Sequence, residues 1–390
     1  MGNCEPTYRR PPEAAYIHIP FCVSKCHYCE FNSYPGMDSI FGQYTQALIT
    51  EIENAPRPDP ARPLETVYFG GGTPTLLPAH YLLDILSAVR ETFGLADDAE
   101  VTIEANPGTA DKAKLAELRN GGFNRISIGV QSLDDEFLEK IGRAHSRRQA
   151  IDAYESARLA GFANIGIDLI FALPGQTLDG WRATLDAAVG LGSEHVSLYE
   201  LTIEEGTRFA EMRARGELDL PDEDTRLNMY ETAISKLTGA GFEHYEVSNF
   251  ARPGYRSRHN QVYWRNEPYY GFGAGATSYV EGERARRVAD PRAYIAAVCS
   301  GSDAIEFSER LTGRAALAET IIQGLRMIEG IDLSAINAAY CTDLAQEFEN
   351  EIARLRERGL VEEADGHLRV THCGLLLLND VAGEFVGYGS

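Results

Sequence analysis

The stretch Tyr16-Ile17-His18-Ile19-Pro20-Phe21-Cys22-Val23-Ser24-Lys25-Cys26-His27-Tyr28-Cys29 puts three cysteines within eight residues. Three thiolates on one short loop can hold three irons of a [4Fe-4S] cube, leaving the fourth iron open to a small molecule. The residues ahead of Cys22 are apolar and β-branched, the composition of a buried strand running straight into the loop. The cluster is therefore expected at the C-terminal end of a strand, where barrel enzymes keep their chemistry.

Two other uses of the thiols compete with this reading. A structural zinc needs a fourth ligand, which His18 or His27 could supply, but zinc pairs are usually closed by a second, distant pair of Cys or His. The remaining cysteines, Cys4, Cys299, Cys341 and Cys373, are solitary in the sequence. An odd count of seven, the chain length and the lack of a secretory leader argue against a disulfide framework. The thiols are expected to be reduced.

At 390 residues the chain can bury a sizeable core and is expected to form about two or three domains. It carries 58 acidic against 36 basic side chains, a formal charge of −22. That charge disfavours nonspecific attraction to nucleic acid or to an anionic membrane. No run approaches the ~20 apolar residues of a membrane span, and the first 13 residues resemble no targeting segment. A cytoplasmic protein is expected.

Strand-like runs at 15–19, 66–69, 101–103, 125–130, 165–171 and 196–201 alternate with helical segments, the pattern of parallel βαβ units. Another run at 245–247 leads into an aperiodic stretch, 249–279, rich in Gly, Arg and aromatic residues. Beyond about residue 310 helices are expected at 315–328 and 344–358, then a hairpin at Asp365-Gly366. Helices followed by a hairpin suggest a winged helix, yet the second helix carries Glu347, Glu349, Glu351 and Glu357 and no basic stripe, which disfavours DNA binding.

Several strand ends carry polar residues. Gly70-Gly71-Gly72-Thr73 follows the second run, and the absence of a Cβ there permits close approach to a ligand. Glu104, Gln131 and Asp168 sit in or after apolar runs, where burial demands a hydrogen-bonding partner; ribose hydroxyls would suit them. Arg143 offers a planar fork for a carboxylate. The alternative for Glu104 and Arg143 is an ordinary ion pair at the barrel rim.

The cysteine spacing with its Tyr-Ile-His-Ile-Pro-Phe prefix resembles the radical S-adenosylmethionine (SAM) superfamily, specifically its oxygen-independent coproporphyrinogen III oxidase-like family. The resemblance extends over nearly the whole chain. It implies an incomplete (β/α)6 barrel, an α/β fold, with a C-terminal helical, winged-helix-like domain. The corresponding divisions are a tail at 1–13, the barrel at 14–250, an extension over the barrel mouth at 251–309 and the C-terminal domain at 310–390. The resemblance also implies that SAM chelates the open iron and that an electron from the cluster cleaves it to a 5′-deoxyadenosyl radical. Tyr16, Tyr28, Gly71, Gly72, Thr73, Glu104, Gln131, Arg143 and Asp168 occupy the family's SAM-contacting positions, and Cys22, Cys26 and Cys29 its cluster ligands.

Within that family the oxidase proper carries a fourth cysteine two residues past the third, where this chain has Phe31, and a long N-terminal arm, where only 21 residues precede Cys22. Both differences resemble the heme-chaperone branch. So does His259-Asn260-Gln261-Val262-Tyr263-Trp264, which matches that branch's His-Asn-x-x-Tyr-Trp motif. It implies heme contact, with His259 as candidate axial ligand and Tyr263 and Trp264 as pocket walls. Arg252, Arg256, Arg258 and Arg265 could meet propionates. Ala274 and Thr277 stand where the branch is expected to have proline and histidine. His18 and His27 could tune the cluster through hydrogen bonds to sulfur, while His145, His195 and His244 have no assigned role. The partners implied are heme, acceptor hemoproteins such as respiratory cytochromes, an electron donor, and a second copy in a homodimer. The enzyme readings that remain are coproporphyrinogen III oxidase and a two-SAM methyltransferase of the related class.

Overall fold

The computed structural model describes residues 10–386 apart from 58 and 60; Cys4 and most of the expected N-terminal tail lie outside the described residues. Six parallel strands stand side by side in chain order: β1 (Ala14–Ile19), β2 (Leu64–Gly71), β3 (Leu95–Ala105), β4 (Arg125–Gln131), β5 (Asn164–Phe171) and β6 (His195–Glu200). They agree with the six sequence runs, and helices connect them as the alternation requires. The sheet then grows at both edges. A hairpin of β7 (Glu243–Glu246) and β8 (Asn249–Ala251) adds antiparallel to β6, and β9 (Tyr270–Phe272) adds parallel to β1. The order is β9-β1-β2-β3-β4-β5-β6-β8-β7, so a piece of the 251–309 extension is built into the barrel wall.

Period-two alternation divides this sheet into two chemistries. Ile17, Val67, Phe69, Ile103, Ile126, Ile128, Ile165, Ile167, Val196 and Leu198 belong to one buried apolar core with the surrounding helices. The residues between them face the lumen, and they are polar: Thr66, Tyr68, Glu100, Thr102, Arg125, Ser127, Asp168, His195 and Ser197. Arg125 is 1% exposed, and its charge is held by Glu100, Tyr68, Tyr245 and Asp168 around it.

The helix of the His-Asn-x-x-Tyr-Trp motif, Arg258–Trp264, corrects the expectation that the extension simply covers the mouth. It packs at the opposite, N-terminal end of β2 and β3. Glu100 accepts from the backbone N–H groups of Arg258 and His259 at 3.2 and 3.1 Å, and Arg258 pairs with Glu65 and Asp98. The chain then climbs through β9 and turns at Gly273–Ala276 beside the cysteine loop, where Asn32 donates to Ala274 O and Ala289 O. The extension thus seals the foot of the barrel and steadies one side of its mouth. Ala274 belongs to this turn, against Asn32, and Thr277 opens the strand that leaves it, opposite Arg286.

The C-terminal domain has its own core of Leu317, Ile321, Leu344, Phe348, Leu355, Leu368 and Phe385. Its helices begin with Gly313–Gly324; the second expected helix breaks at Phe348 into Leu344–Glu347 and Glu349–Glu357. The hairpin Val361–Ala364 and His367–Val370 turns at Asp365-Gly366, both with positive φ (53° and 78°), as a two-residue type I′ turn demands. This domain is fastened to the barrel edge by backbone bonds from Val247 N to Arg326 O and from Ile328 N to Tyr245 O. Among the described residues no helix is long and apolar enough to cross a membrane. Cys299 and Cys373 are free and exposed. Cys341 is disulfide-bonded, so the expectation of uniformly reduced thiols does not hold there.

Replacing Arg125 by Met is expected to cost about 3–5 kcal/mol, because the carboxylates around it stay buried without a counter-charge. Urea unfolding of the two proteins at pH 7 measures the difference.

Candidate functional site

β1 leaves the barrel at Ile19 and passes directly into the cysteine loop, so Cys22, Cys26 and Cys29 stand at the C-terminal mouth, partly buried and free. The loop is tied to its neighbours by backbone. Gly72 N donates to Ile19 O and Thr73 N to Phe21 O, while His27 N donates to Ile141 O and Phe209 N to His27 O. Gly71 (φ 112°) and Gly72 serve close packing against the chain itself: a Cβ on the first would strike the His18 ring at 2.4 Å, and on the second Phe21 O at 2.6 Å.

Among the described residues no group of His, Cys, Asp and Glu side chains converges on a single metal ion. A cubane cluster distributes its ligating sulfurs over separate irons, and three free thiols on one loop suit it. Burial pushes the Cys22 and Cys29 thiols up, relieved at Cys22 by Thr73 and Ser33; binding iron removes those protons.

A polar chain links two of the cysteines. Cys22 Sγ lies 3.4 Å from Thr73 Oγ1, which accepts from Asn106 Nδ2 at 2.7 Å. Arg143 donates to Asn106 Oδ1 at 2.5 Å, to Gly129 O at 2.8 Å and to Cys26 Sγ at 3.5 Å. Its Nε is buried without a partner, an unmet donor that fits a carboxylate ligand. Asn106, the first residue after β3, was not among the residues expected from the sequence; its signal there was only an amide at a strand end, in Asn106-Pro107-Gly108.

Glu104 accepts from Tyr68 OH at 2.7 Å and from Gly71 N at 3.2 Å, and burial pushes its carboxyl up to about 7. Asp168 accepts from Ser127 at 3.1 Å and is likewise raised by burial, with Ser197, Ser127, Arg125 and Arg143 opposing. Both acids thus have fixed partners as expected. Gln131 closes β4 in the left-handed region, φ 64°, uncommon for a residue with a Cβ. Tyr16 stacks on Tyr68 at 6.2 Å and bonds His18 Nδ1 at 3.0 Å. Tyr28 is partly buried beside Arg143 and Cys26.

The histidines near the loop act differently from expectation. His18 Nε2 donates to Asn32 O at 2.9 Å, leaving Nδ1 to accept from Tyr16. His27 Nδ1 donates to Lys140 O, and its Nε2 meets Arg208. Neither bonds a sulfur, because backbone carbonyls hold both rings.

The motif residues lie at the far end. His259 is fully buried, with Nδ1 2.8 Å from Thr66 Oγ1, Nε2 2.9 Å from Tyr263 OH and its ring stacked on Tyr68. Both ring nitrogens are thus engaged within the protein. Burial, helped by Arg125, lowers its pKa to about 3. Spacing of i, i+4 puts His259 and Tyr263 on one helical face, turned inward, while Trp264 turns toward the C-terminal domain under the Arg326 guanidinium at 4.3 Å. The arginines offered for propionates are engaged: Arg252 with Ala240 O, Arg256 with Glu243 and Glu329, Arg258 with Glu65 and Asp98, Arg265 with Glu329.

Residues 16–188 match the radical SAM superfamily and residues 311–377 the HemN C-terminal domain. Over 380 residues the chain is 37% identical to the heme chaperone HemW of Bacillus subtilis (strain 168), covering 96% of this chain and 99% of that one. The chain belongs to the HemW family. A second HemW, from Synechocystis sp., is 40% identical over 343 residues, 86% of this chain and 83% of its own. Among solved structures, the coproporphyrinogen III oxidase HemN of Escherichia coli, a radical SAM enzyme, superposes with a TM-score of 0.83 at 27% identity, over 98% of this chain and 91% of that one. The chain thus carries the radical SAM fold with a HemN-type C-terminal domain.

Each of Cys22→Ala, Cys26→Ala and Cys29→Ala is expected to abolish the visible absorbance of a reconstituted cluster while far-UV circular dichroism stays unchanged. Asn106→Ala should take up iron normally but lose it several-fold faster to a chelator, since Thr73 and Arg143 are no longer joined. The buried His259 binds its proton with a pKa of about 3 when folded, against 6.5 for an unperturbed imidazole. Its stability contribution is therefore full above about 6.5 and declines as pH falls below it. The melting temperature of the metal-free protein should drop between about pH 6.5 and 5, and His259→Asn should flatten that slope.

Proposed function

We propose that this protein is a heme chaperone that binds a [4Fe-4S] cluster through Cys22, Cys26 and Cys29 and SAM at the barrel mouth, and that it holds heme for delivery to acceptor hemoproteins. The observation that carries the reading is the similarity of the chain, over nearly its full length, to curated heme chaperones, joined to an intact three-cysteine loop at the barrel mouth. The side chains at the mouth suit SAM group by group. Arg143 has an unmet N–H for a carboxylate, and Glu104 and Asp168 can accept from ribose hydroxyls. The chemistry supplied by a bound cluster is one-electron transfer and an iron open to chelation.

Phe31 favours the chaperone over the oxidase. It stands where the oxidase has a cysteine and is 62% exposed, an apolar surface on the cysteine loop in place of a thiol. Respiratory cytochromes are the acceptors in this reading, and an external donor reduces the cluster.

The test is anaerobic reconstitution followed by incubation with SAM and reductant, separately with heme and with coproporphyrinogen III. A stable Soret band with coproporphyrinogen recovered unchanged is expected. Decarboxylated or methylated product without heme binding would make the protein an enzyme and end the chaperone reading.

A further inference from the structure

The relay at the barrel mouth touches Cys22 and Cys26 and leaves the third cysteine to another support. Three residues past Cys29 stands Asn32. Its side-chain amide donates to Ala274 O and Ala289 O at 3.0 Å each, and its backbone carbonyl accepts from His18 Nε2 at 2.9 Å. The Cys29 thiol itself lies against the Phe31 backbone and the Ser33 hydroxyl, on either side of Asn32. The exit of the cysteine loop is thus pinned to the turn Gly273–Ala276. We propose that Glu51 sets this turn and, acting through the turn and Asn32, is a positioning residue for Cys29. The inference rests on the reading of the three cysteines as cluster ligands and adds to it a residue of the first helix, far from the loop in sequence.

Glu51 lies on the helix Phe41–Asn54. Its side chain is 9% exposed and accepts from Gly273 N at 2.9 Å, from Tyr294 OH at 2.6 Å and from Arg287 Nε at 2.7 Å. A carboxylate only accepts, and its two oxygens can take three donors at once; its charge makes each bond stronger than a neutral acceptor would. The donors come from the turn, from strand Glu283–Arg287 and from helix Pro291–Cys299, so one side chain gathers the extension around the turn. Tyr44, seven residues earlier, lies two turns away on the same helical face. Its hydroxyl accepts from Ala274 N at 2.9 Å and donates to His18 O at 2.8 Å.

The packing leaves this assembly no slack. A Cβ on Gly273 (φ 100°) would stand 2.6 Å from both His18 O and Tyr44 OH, and one on Gly275 (φ 78°) would stand 2.3 Å from Asn32 Nδ2. Both positions also need the left-handed backbone that glycine tolerates. A shift of the turn is therefore passed on to Asn32, because a close-packed contact has no space in which to absorb it. Among the described residues Glu51 has no bond to a cysteine or to the Thr73–Asn106–Arg143 relay, so its route to the loop runs through the turn.

The experiment takes the full chain, reduced and metal-free under anaerobic conditions, and measures how fast iodoacetamide alkylates each cysteine by peptide mass spectrometry. Glu51→Gln keeps the size of the side chain but turns one acceptor into a donor that faces donors. Cys29 is expected to react several-fold faster, while Cys26, held by Arg143, is unchanged. Tyr294→Phe removes one of the three donors and is the milder variant; it should move Cys29 in the same direction. Asn32→Ala should match Glu51→Gln, and the double variant should add nothing further, since both act on one line of contacts. After reconstitution, Glu51→Gln should alter the electron paramagnetic resonance spectrum of the reduced cluster and lose iron to a chelator several-fold faster than wild type. Arg158→Met, which breaks the remote pair with Glu194, should lower the melting temperature and leave the cysteines as they are. Unchanged alkylation of Cys29 in the Glu51 and Tyr294 variants, equal acceleration at Cys26 and Cys29, or additive effects in the double variant would overturn the proposal. A wild type that takes up no cluster sinks the cluster reading instead, and the alkylation rates still decide what Glu51 does.

Discussion

A guanidinium sealed inside a barrel is the constraint on which this structure turns. Arg125 cannot lose its proton and cannot reach water, so the lumen around it must be built of acceptors and acids. Glu100 answers it from β3, Asp168 from β5 and Tyr245 from β7. Glu100 in turn receives the first N–H groups of the motif helix, and that helix inserts His259 against Thr66 and Tyr68. One buried charge thereby links three strands of the sheet, through Glu100, to the helix that packs at the barrel foot.

The mouth is organised by a different device, a relay of side chains from consecutive strand ends. Thr73 follows β2, Asn106 follows β3, and Arg143 comes from the segment after β4; each touches the next, and the two ends touch Cys22 and Cys26. The loop itself has little regular structure. Its shape is borrowed from neighbours that are rigid because the sheet beneath them is rigid.

The barrel was legible because its outer face is a continuous alternation of Ile, Val and Phe, and the hairpin because Asp365-Gly366 has few other uses. Polar residues inside apolar runs, Glu104 and Asp168, do have the fixed partners that their burial demands. What the sequence concealed was direction. A motif such as His259 to Trp264 looks like one site when read in a line, but an α-helix turns roughly 100° per residue, and its members face different surroundings. His18 and His27 depart from expectation for a similar reason: adjacency to a cysteine in sequence says nothing of the backbone carbonyls that fold back to occupy a ring. Asn106 was invisible because a strand-end amide has no pattern of its own until Thr73 and Arg143 flank it in space.

The placement of the motif helix at the foot, with the cysteine loop at the crown, has a consequence for assembly. A reductant that must approach the cysteines would come to the surface around Val23 and Phe31, both exposed. A protein engaging the junction of the barrel with the C-terminal domain would approach from the other pole. The two visitors need not take turns. A column of bonded and stacked groups runs between the poles, from Glu104 through Tyr68 to His259 and Glu100.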